Sequence, residues 1–392
     1  MSKRDDLMSA EFELLSTQIF GATIEFGIGV IRNLPEYINR LNVSKLLVVS
    51  DKGLVSSGAI DKVFGVLKTS KIEYTLFDGV QPNPLDTNVM DGLEVYKKNK
   101  CDAILGIGGG SPIDVAKAIR SIANRPGHIR DYFSPAIVKG DKPILIAVAT
   151  MSGTGSEVST GSVITDTEIN RKRIIRHIPP SLAVVDPELT ISVPPHLTAA
   201  TGIDALSHSI EAYVTLRYNP LAEAIAITGI KLIANNLRRA VENGSDLEAR
   251  KNMSMASMMG ALAFSKGLGA SHSLAHQLST EANVHHGVAN AIMLPHVMGF
   301  NLDFATEKYA DIAQAMGANT SDMSIIQSAR ASIQAVKELC RDIRLPGCLS
   351  AVGVSLDSIS IMAEKAMEDH CHHTNPRICT KEDMSMLYKM AF

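Results

Sequence analysis

Five of the twelve histidines in this chain lie within one stretch, residues 267–297. They are His272, His276, His285, His286 and His296. Much of the rest of this stretch is apolar or small, which predicts a buried helical segment. His272 and His276 are four residues apart and therefore share one face of a helix. Such a pair could supply two imidazole ligands to a divalent metal ion.

A second pair with the same spacing, Asp204 and His208, lies upstream in the segment TGIDALSHSIEAY. Alone, this spacing is that of an ordinary helical salt bridge. Together with the downstream histidines, it predicts several buried imidazoles and a carboxylate that need partners. One metal would satisfy them, and a mixed imidazole–carboxylate set suits Fe(II) or Zn(II) without deciding between them. Spacing alone does not show which four of the six candidate side chains bind. The six are Asp204, His208, His272, His276, His285 and His286.

The strongest phosphate-binding pattern is the segment GIGGGSPID at 106–114, which leaves an apolar run and enters a helical pattern. Glycines let the backbone approach a pyrophosphate, and a helix N-terminus attracts an anion. Ser111 is expected to cap the helix, with Pro112 at its first helical position. A tight strand–helix turn without a ligand is the alternative interpretation. The acidic residue that usually follows the second strand of a dinucleotide-binding motif is missing here. Asp51 is therefore the candidate for accepting the ribose hydroxyls, and its carboxylate would repel a 2′-phosphate, which favours NAD over NADP. The alternative for Asp51 is a turn or helix-capping role.

Short apolar runs alternate with helical patterns through the first half of the chain. Strands are predicted at 45–50, 74–77, 103–107, 144–149 and 182–185, helices at 57–70 and 86–99, and a hairpin at 163–165 and 172–175. This alternation predicts a parallel, Rossmann-like sheet with helices on both faces. From residue 198 onward the pattern is almost all helical, which is usual for a helix-bundle core. We therefore expect an α/β dinucleotide-binding domain at 1–190 and an all-helical metal-binding and substrate domain at 191–392.

Bulk properties exclude several classes of partner. The formal net charge is -3 and there is no basic tract, which argues against nucleic acid and against an anionic membrane surface. No long apolar run predicts a membrane span, and residues 1–12 are expected to form a loose extension without a secretory signal. The five cysteines include no CxxC pair, which favours a reducing cytoplasm over a disulfide framework.

Seven segments together resemble the iron-containing (group III) alcohol dehydrogenases, most closely the branch of 1,3-propanediol dehydrogenase and lactaldehyde reductase. The segments are SDKGL at 50–54, FDGVQPNP at 77–84, GGGSPIDVAKAI at 108–119, GTGSEV at 153–158, TAATGIDALSHSIEAY at 198–213, HHGVANAIMLPHV at 285–297 and NPR at 375–377. The resemblance runs from about residue 20 to the last residue. It implies the two-domain architecture of dehydroquinate synthase, and a homodimer or larger homo-oligomer.

The resemblance also implies roles for individual residues. The metal, Fe(2+) with Zn(2+) as the alternative, would be held by Asp204, His208, His272 and His286. His276 would then face the active site without binding the metal, either as a proton relay or as support for the ligands. The residues implied for NAD(H) are Asp51, Asn83, Gly109, Gly110, Ser111, Asp114, Thr150, Thr154 and Lys172.

The expected activity is that of a metal-dependent, NAD(H)-linked alcohol dehydrogenase or aldehyde reductase acting on a small primary alcohol or aldehyde. Ser162, Ser271 and the pair His372 and His373 suggest a substrate with a polar or anionic end, and Phe264 is a further candidate contact. Solvated surface histidines are the alternative for that pair.

A dehydroquinate-synthase-like lyase and a non-catalytic, filament-forming relative are the alternatives for the whole chain. The lyase should need several lysines and arginines around the metal, but only Lys266 lies near His272 in the sequence.

Overall fold

A six-stranded parallel sheet dominates the N-terminal half of the computed structural model, which describes residues 21–133, 142–176 and 179–392. Its strands lie in the order β1-β8-β5-β4-β2-β3. Their bounds are β1 Thr23–Phe26, β2 Lys45–Val49, β3 Glu73–Phe77, β4 Ala103–Gly108, β5 Ile144–Ala149 and β8 Leu182–Val185. The predicted parallel sheet is confirmed, while the expectation for residues 1–12 lies outside the described residues.

Strand β1 was not predicted from the sequence. Thr23 is exposed and the other three residues are only partly buried, so the strand lacks the continuous apolar run of the central strands. It is held by pairing with β8, from Thr23 beside Leu182 to Phe26 beside Val185. Because this partner is far away in the chain, local sequence carries little sign of the strand.

Helices cover both faces of the sheet, as predicted. They are α1 Leu34–Arg40, α2 Lys52–Ser56, α3 Asp61–Thr69, α4 Asp86–Lys98 and α5 Gly110–Ile122. Successive residues of a strand point to opposite faces. Leu47 and Val49 of β2 therefore pack with α4 and α5, whereas Leu46 and Val48 pack with α1 and α3. This burial on both faces explains why the central strands are apolar throughout.

An antiparallel hairpin, β6 Gly161–Asp166 and β7 Arg171–Arg176, stands apart from the main sheet. The predicted hairpin is thus present, with longer strands. It is tied to the glycine-rich turn through Asp114 on α5, whose Oδ2 accepts a hydrogen bond from the Val163 amide at 2.9 Å. The hairpin therefore lies at the edge of the sheet that carries the glycine-rich turn.

The C-terminal half is helical in the described residues. Its α-helices are α6 Pro195–Val214, α7 Pro220–Glu242, α8 Leu247–Ala263, α9 Ala270–Glu281, α10 His286–Asn301, α11 Thr306–Ala315, α12 Ile325–Asp342, α13 Ile359–Glu368 and α14 Lys381–Met390. One core forms around α6, α7, α8 and α12, and a second around α9, α10, α13 and α14. Among the described residues, every helix falls short of the length and apolar character needed to cross a membrane.

Candidate metal and cofactor site

Three helices bring four side chains of the predicted metal set to one point. Helix α6 carries Asp204 and His208, α9 carries His272, and α10 begins with His286. The Oδ1 atom of Asp204 lies 4.0 Å from Nε2 of His208, 3.9 Å from Nε2 of His272 and 3.4 Å from Nε2 of His286. The His272 ring lies 4.7 Å from the His208 ring and 5.4 Å from the His286 ring, measured between centroids. Four of the six candidate side chains, Asp204, His208, His272 and His286, thus form a compact cluster. At this point in the fold it is His286 rather than His285 that approaches Asp204.

Close backbone contacts make this convergence possible. A Cβ atom on Gly287 would fall 2.1 Å from the carbonyl oxygen of Ala200, far inside van der Waals contact. Glycine at this position therefore lets the first turn of α10 rest directly on α6. Gly260 on α8 plays a similar part, since its Cβ would lie 3.2 Å from the Cβ of His208. Helix α10 is thus in backbone contact with α6, and α8 packs closely against the turn of α6 that carries His208.

The buried imidazoles of the cluster carry nitrogen atoms without hydrogen-bond partners. These atoms are His208 Nδ1, His272 Nε2 and His286 Nδ1, among the described residues. A buried polar atom without a partner is costly and calls for an explanation. Of the three, His272 Nε2 is the atom that also lies close to Asp204 Oδ1, at 3.9 Å. A metal cation accepts the lone pair of a neutral imidazole nitrogen, so a set of imidazoles and one carboxylate fits Fe(II) or Zn(II).

The protonation of the cluster also suits a cation. Burial lowers the pKa of His208 to about 4 and lowers that of His286 well below its ordinary value. Both rings are therefore neutral near pH 7, the form that binds a metal. Burial also acts to lower the pKa of His272, but the Glu211 carboxylate outweighs it and raises that pKa.

Two buried polar residues that the sequence analysis did not single out surround the ligands. Glu211 lies within hydrogen-bond distance of His272, with 2.5 Å between Oε2 and Nδ1. Asn290 on α10 donates from Nδ2 to Asp204 Oδ1 at 2.9 Å. Glu211 could have been found from the sequence, because it follows His208 by one helical turn on the same face of α6.

His276 lies beside the cluster, with its ring stacked 5.2 Å from the His286 ring. Its Nδ1 donates a hydrogen bond to Asp369 Oδ2 at 2.7 Å. Asp369 also accepts from the Cys371 amide at 2.8 Å and from Ser273 Oγ at 3.0 Å. Asp369 was not among the residues singled out from the sequence, and its pairing with His276 was not foreseen.

The glycine-rich turn differs in one detail from its prediction. The N-cap of α5 is Gly109 rather than Ser111, so Pro112 is the third helical residue. The helix starts earlier because glycines at 109 and 110 permit close contacts that other residues would not. A Cβ on Gly110 would lie 2.9 Å from Thr154 Cγ2, and one on Gly109 would lie 3.0 Å from Met151 Sδ. The cap makes no side-chain hydrogen bond, which leaves the first amides of α5 available to an anion.

The other predicted cofactor residues lie around the same sheet edge. Asp51 caps α2, since its Oδ1 accepts a hydrogen bond from the Leu54 amide at 2.8 Å. The capping role is therefore observed, and it leaves Oδ2 for a ribose hydroxyl. Asn83 adopts a left-handed backbone conformation, with φ of 52°. Thr150 directly follows β5 and its buried Oγ1 has no partner, whereas Thr154 is exposed. Burial lowers the pKa of Lys172 on β7 to about 8, against the attraction of Asp204, Asp369 and Asp114.

Asp114 is occupied inside the protein. Besides the Val163 amide, it accepts a hydrogen bond from Ser156 Oγ at 2.5 Å, and Lys117 Nζ lies 3.6 Å from its Oδ1. Both carboxylate oxygens therefore hold the hairpin and the loop after β5 in place. A direct contact of Asp114 with the cofactor remains a prediction.

The four candidate substrate contacts fall into two groups. Phe264 is half-buried, with its ring 5.0 Å from that of His208, and His373 is exposed. Ser162 and Ser271, by contrast, have no exposed surface at all. Ser162 is turned into the core from β6, and the Ser271 hydroxyl donates to Asn290 at 3.4 Å. Neither serine offers an exposed surface to a substrate in this structure, and a contact of either with the substrate stays a prediction.

Basic side chains are sparse around the ligands. Lys266 points away from them, with Nζ donating to Glu223 Oε1 at 2.6 Å and to backbone carbonyls at Tyr213 and Thr215. Lys172 is the basic side chain that lies close enough to Asp204 for its pKa to respond. Such a site does not suit a multiply charged phosphorylated substrate, so the geometry disfavours the lyase alternative.

Comparison with known proteins gives consistent matches over almost the whole chain. Residues 21–187 match the family model for iron-containing alcohol dehydrogenase, and residues 198–392 match that for the C-terminal part of the Fe-containing alcohol dehydrogenase family. The chain is 42% identical to 1,3-propanediol dehydrogenase of Klebsiella pneumoniae, covering 94% of this chain and 96% of that one. It is 38% identical to NAD-dependent methanol dehydrogenase of Bacillus methanolicus, covering 93% and 97%. It is also 38% identical to lactaldehyde reductase of Escherichia coli K12, covering 97% and 100%.

Superposition on solved structures supports the same family. A crystal structure of 1,3-propanediol oxidoreductase superposes with a TM-score of 0.92 at 42% identity, covering 94% of this chain and 98% of that one. Sulfoacetaldehyde reductase from Bifidobacterium kashiwanohense, in complex with NAD+, gives a TM-score of 0.87 at 28% identity, covering 96% and 99%. The family expected from the sequence segments is thereby confirmed, and the lyase alternative is not favoured.

Proposed function

Because the chain belongs to the iron-containing alcohol dehydrogenase family and is an NAD(H)-linked oxidoreductase acting on CH–OH groups, we propose that Asp204, His208, His272 and His286 hold its ferrous ion. Zn(II) is the alternative occupant. The observation that carries this proposal is the convergence of the four side chains from three helices, with the buried Nε2 of His272 facing Asp204 and lacking a hydrogen-bond partner. A ferrous ion in this site would lower the pKa of an alcohol or polarise an aldehyde oxygen.

We propose that NAD(H) binds along the carboxyl edge of the sheet. The free amides at the start of α5 would take the pyrophosphate, and Gly109 and Gly110 allow the backbone to approach it. Asp51 Oδ2 would accept the ribose hydroxyls and would repel a 2′-phosphate, which favours NAD over NADP. Asn83, Ser111, Asp114, Thr150, Thr154 and Lys172 complete the proposed cofactor set.

His276 is proposed as the proton relay between the substrate oxygen and solvent. Its Nδ1 is tied to Asp369, so only Nε2 can give or take a proton. The ring is half-buried beside His286, which places it next to the proposed metal set while keeping some access to water. An imidazole nitrogen can both accept and donate a proton, which suits this role.

The proposed substrate is a small primary alcohol or its aldehyde. The names of the relatives mention 1,3-propanediol, methanol and lactaldehyde, all of which are small. Phe264 offers an apolar wall beside His208, and the exposed His373 is the remaining candidate for a polar or anionic substrate end. His372, the other histidine of the pair, is buried, and its Nε2 lies 3.1 Å from the Met367 carbonyl oxygen. We therefore do not include it among the proposed substrate contacts.

The central test uses enzyme stripped of metal and reloaded with Fe(II) or Zn(II). NADH oxidation is followed with a panel of short aldehydes, and metal content is measured in parallel. We expect turnover with Fe(II), and loss of both bound metal and turnover in H286A. The matched control is H296A, which removes another histidine of α10 outside the cluster. Absence of turnover with every aldehyde and either metal would overturn the proposed function.

A second experiment addresses the polar end of the substrate. The values of kcat/KM for propanal and for an anionic two-carbon aldehyde are compared in the wild type and in H373A. We expect the wild type to prefer the anionic aldehyde and H373A to lose that preference. An equal or lower value for the anionic aldehyde in the wild type would reject this substrate class while leaving the alcohol dehydrogenase activity in place.

The remaining proposals concern organisation and location. We propose domains at 1–190 and 191–392, supported by the change from sheet to helices between β8, which ends at Val185, and α6, which begins at Pro195. The five cysteines are free thiols, which supports a cytoplasmic location. A homodimer or larger homo-oligomer is proposed from family resemblance, and light scattering of the purified protein tests it.

A further inference from the structure

Glu211 is a buried carboxylate with two different partners. One oxygen, Oε2, lies 2.5 Å from His272 Nδ1, and the other, Oε1, accepts the Ser271 amide at 2.7 Å. Gly269 leaves room for this arrangement, because a Cβ there would fall 2.8 Å from Oε1. The carboxylate therefore lies between α6 and the first turn of α9, held at both oxygens.

This arrangement fixes where the His272 ring carries its proton. A carboxylate only accepts hydrogen bonds, so the nitrogen that faces it must be the N–H donor. In a neutral imidazole the other nitrogen then keeps a free lone pair. That other nitrogen is Nε2, which is buried, has no partner and lies 3.9 Å from Asp204 Oδ1.

We propose that Glu211 is a positioning residue that sets the Nδ1–H tautomer of His272 and so presents Nε2 to the metal. This inference rests on the proposed function, since it assumes that the cluster binds a metal ion. The hydrogen bond from the Ser271 amide contributes to this positioning, because it prevents the Glu211 carboxylate from rotating away from the His272 ring. Glu211 lies on the same face of α6 as Asp204 and His208. Helix α6 therefore carries two of the four proposed ligands and orients a third, His272, through the Glu211 carboxylate.

The substitution E211Q tests the tautomer while keeping the shape of the side chain. The Ser271 amide needs an acceptor, so the glutamine carbonyl must face it and the NH₂ group must face His272. Nδ1 then has to accept, the proton moves to Nε2, and the metal-facing lone pair is lost. Loss of such an outer partner of a metal-binding histidine costs about 10–100-fold in metal affinity. We expect E211Q to bind Zn(II) or Fe(II) at least about 10-fold more weakly in competition with a chelator.

The matched control is E223Q, which replaces a glutamate that pairs with Lys266 and Lys308 outside the site. It should leave metal affinity unchanged. Nitrogen-15 NMR of the imidazole rings in metal-free protein reads the tautomer directly, with H272A identifying the His272 signals. We expect a protonated Nδ1 in the wild type and a protonated Nε2 in E211Q.

The outcomes separate the two proposals. If the wild type takes up no metal, the proposed function fails, whereas the NMR measurement still decides the tautomer. If the wild type binds metal and E211Q binds it equally well, or if the neutral wild-type ring carries its proton on Nε2 instead of Nδ1, the role of Glu211 is overturned. The wild-type NMR measurement also decides the matter if E211Q does not fold.

Discussion

Asp369 and His276 form a partly buried pair across two elements, with 2.7 Å between Asp369 Oδ2 and His276 Nδ1. Asp369 begins the short 3-10 turn at His370–Thr374, and His276 lies on α9. Burial acts to raise the pKa of Asp369, but the charge and hydrogen bond of His276, together with the Cys371 amide, hold it well below its ordinary value. Asp369 therefore remains a carboxylate and holds the His276 ring in one orientation.

The first prediction concerns this pair. D369N should lower kcat at least about 10-fold, because the amide would favour the wrong tautomer of His276. H276A should lower kcat further, by about 10²-fold or more, since it removes the proton relay. The control is S273A, which loses a hydrogen bond to the same carboxylate but leaves His276 unchanged. Steady-state kinetics with the metal-loaded enzyme provides the measurement, and a wild-type kcat in D369N would contradict the proposed role.

The second prediction concerns the contact between α10 and α6. In G287A the new Cβ would meet the Ala200 carbonyl at 2.1 Å, so the first turn of α10 must shift. We expect a loss of about 1–3 kcal/mol in stability and a lower metal occupancy, because His286 moves with that turn. G299A is the control on the same helix, where a Cβ meets nothing within 4 Å and should stabilise by about 0.5–1 kcal/mol. Equal melting temperatures and metal contents for the two variants would show that the close contact has no effect.

The third prediction is a pH dependence of stability that originates at Glu157. Burial raises the pKa of this carboxyl to about 7, although Lys117 acts to lower it. The folded state therefore binds this proton more tightly than the unfolded state does. The resulting stability is fully present below the unfolded pKa and is lost as the pH rises through about 7. The total loss at higher pH is about 3 kcal/mol.

E157Q should remove this dependence because glutamine does not ionise. At a pH of about 9 the variant should be the more stable protein, while near pH 5 the two should be similar. Urea unfolding of the metal-free proteins at both pH values provides the measurement. E242Q, at an exposed position, is the control and should keep the wild-type dependence. Parallel pH profiles for the wild type and E157Q would be the contradictory result.

The fourth prediction concerns cofactor choice at Asp51. Asparagine can still cap α2, so D51N removes the charge without removing the cap. We expect the ratio of kcat/KM with NADPH to that with NADH to rise by about tenfold, equivalent to ~1.4 kcal/mol. D102N is the control, because Asp102 caps the opposite end of the sheet through the Ser44 and Lys45 amides. An unchanged ratio in D51N would place the ribose away from Asp51.

The sequence by itself determined the local features of this protein. Alternation of apolar runs and helical patterns predicted the parallel sheet, and two strands, 144–149 and 182–185, have the predicted bounds. The i,i+4 spacing put Asp204 and His208 on one face of a helix, and the glycine-rich turn was evident from its composition. The family resemblance then selected four metal ligands from six candidates.

Only the tertiary structure decided which side chains meet. It paired Glu211 with His272 and Asp369 with His276, and it buried Ser162 and Ser271, which the sequence suggested as substrate contacts. It also added the half-exposed strand β1, which depends on β8 for its pairing. The reason is physical, because periodicity within a segment shows which face is buried, whereas the partner on that face is set by packing between segments distant in the chain.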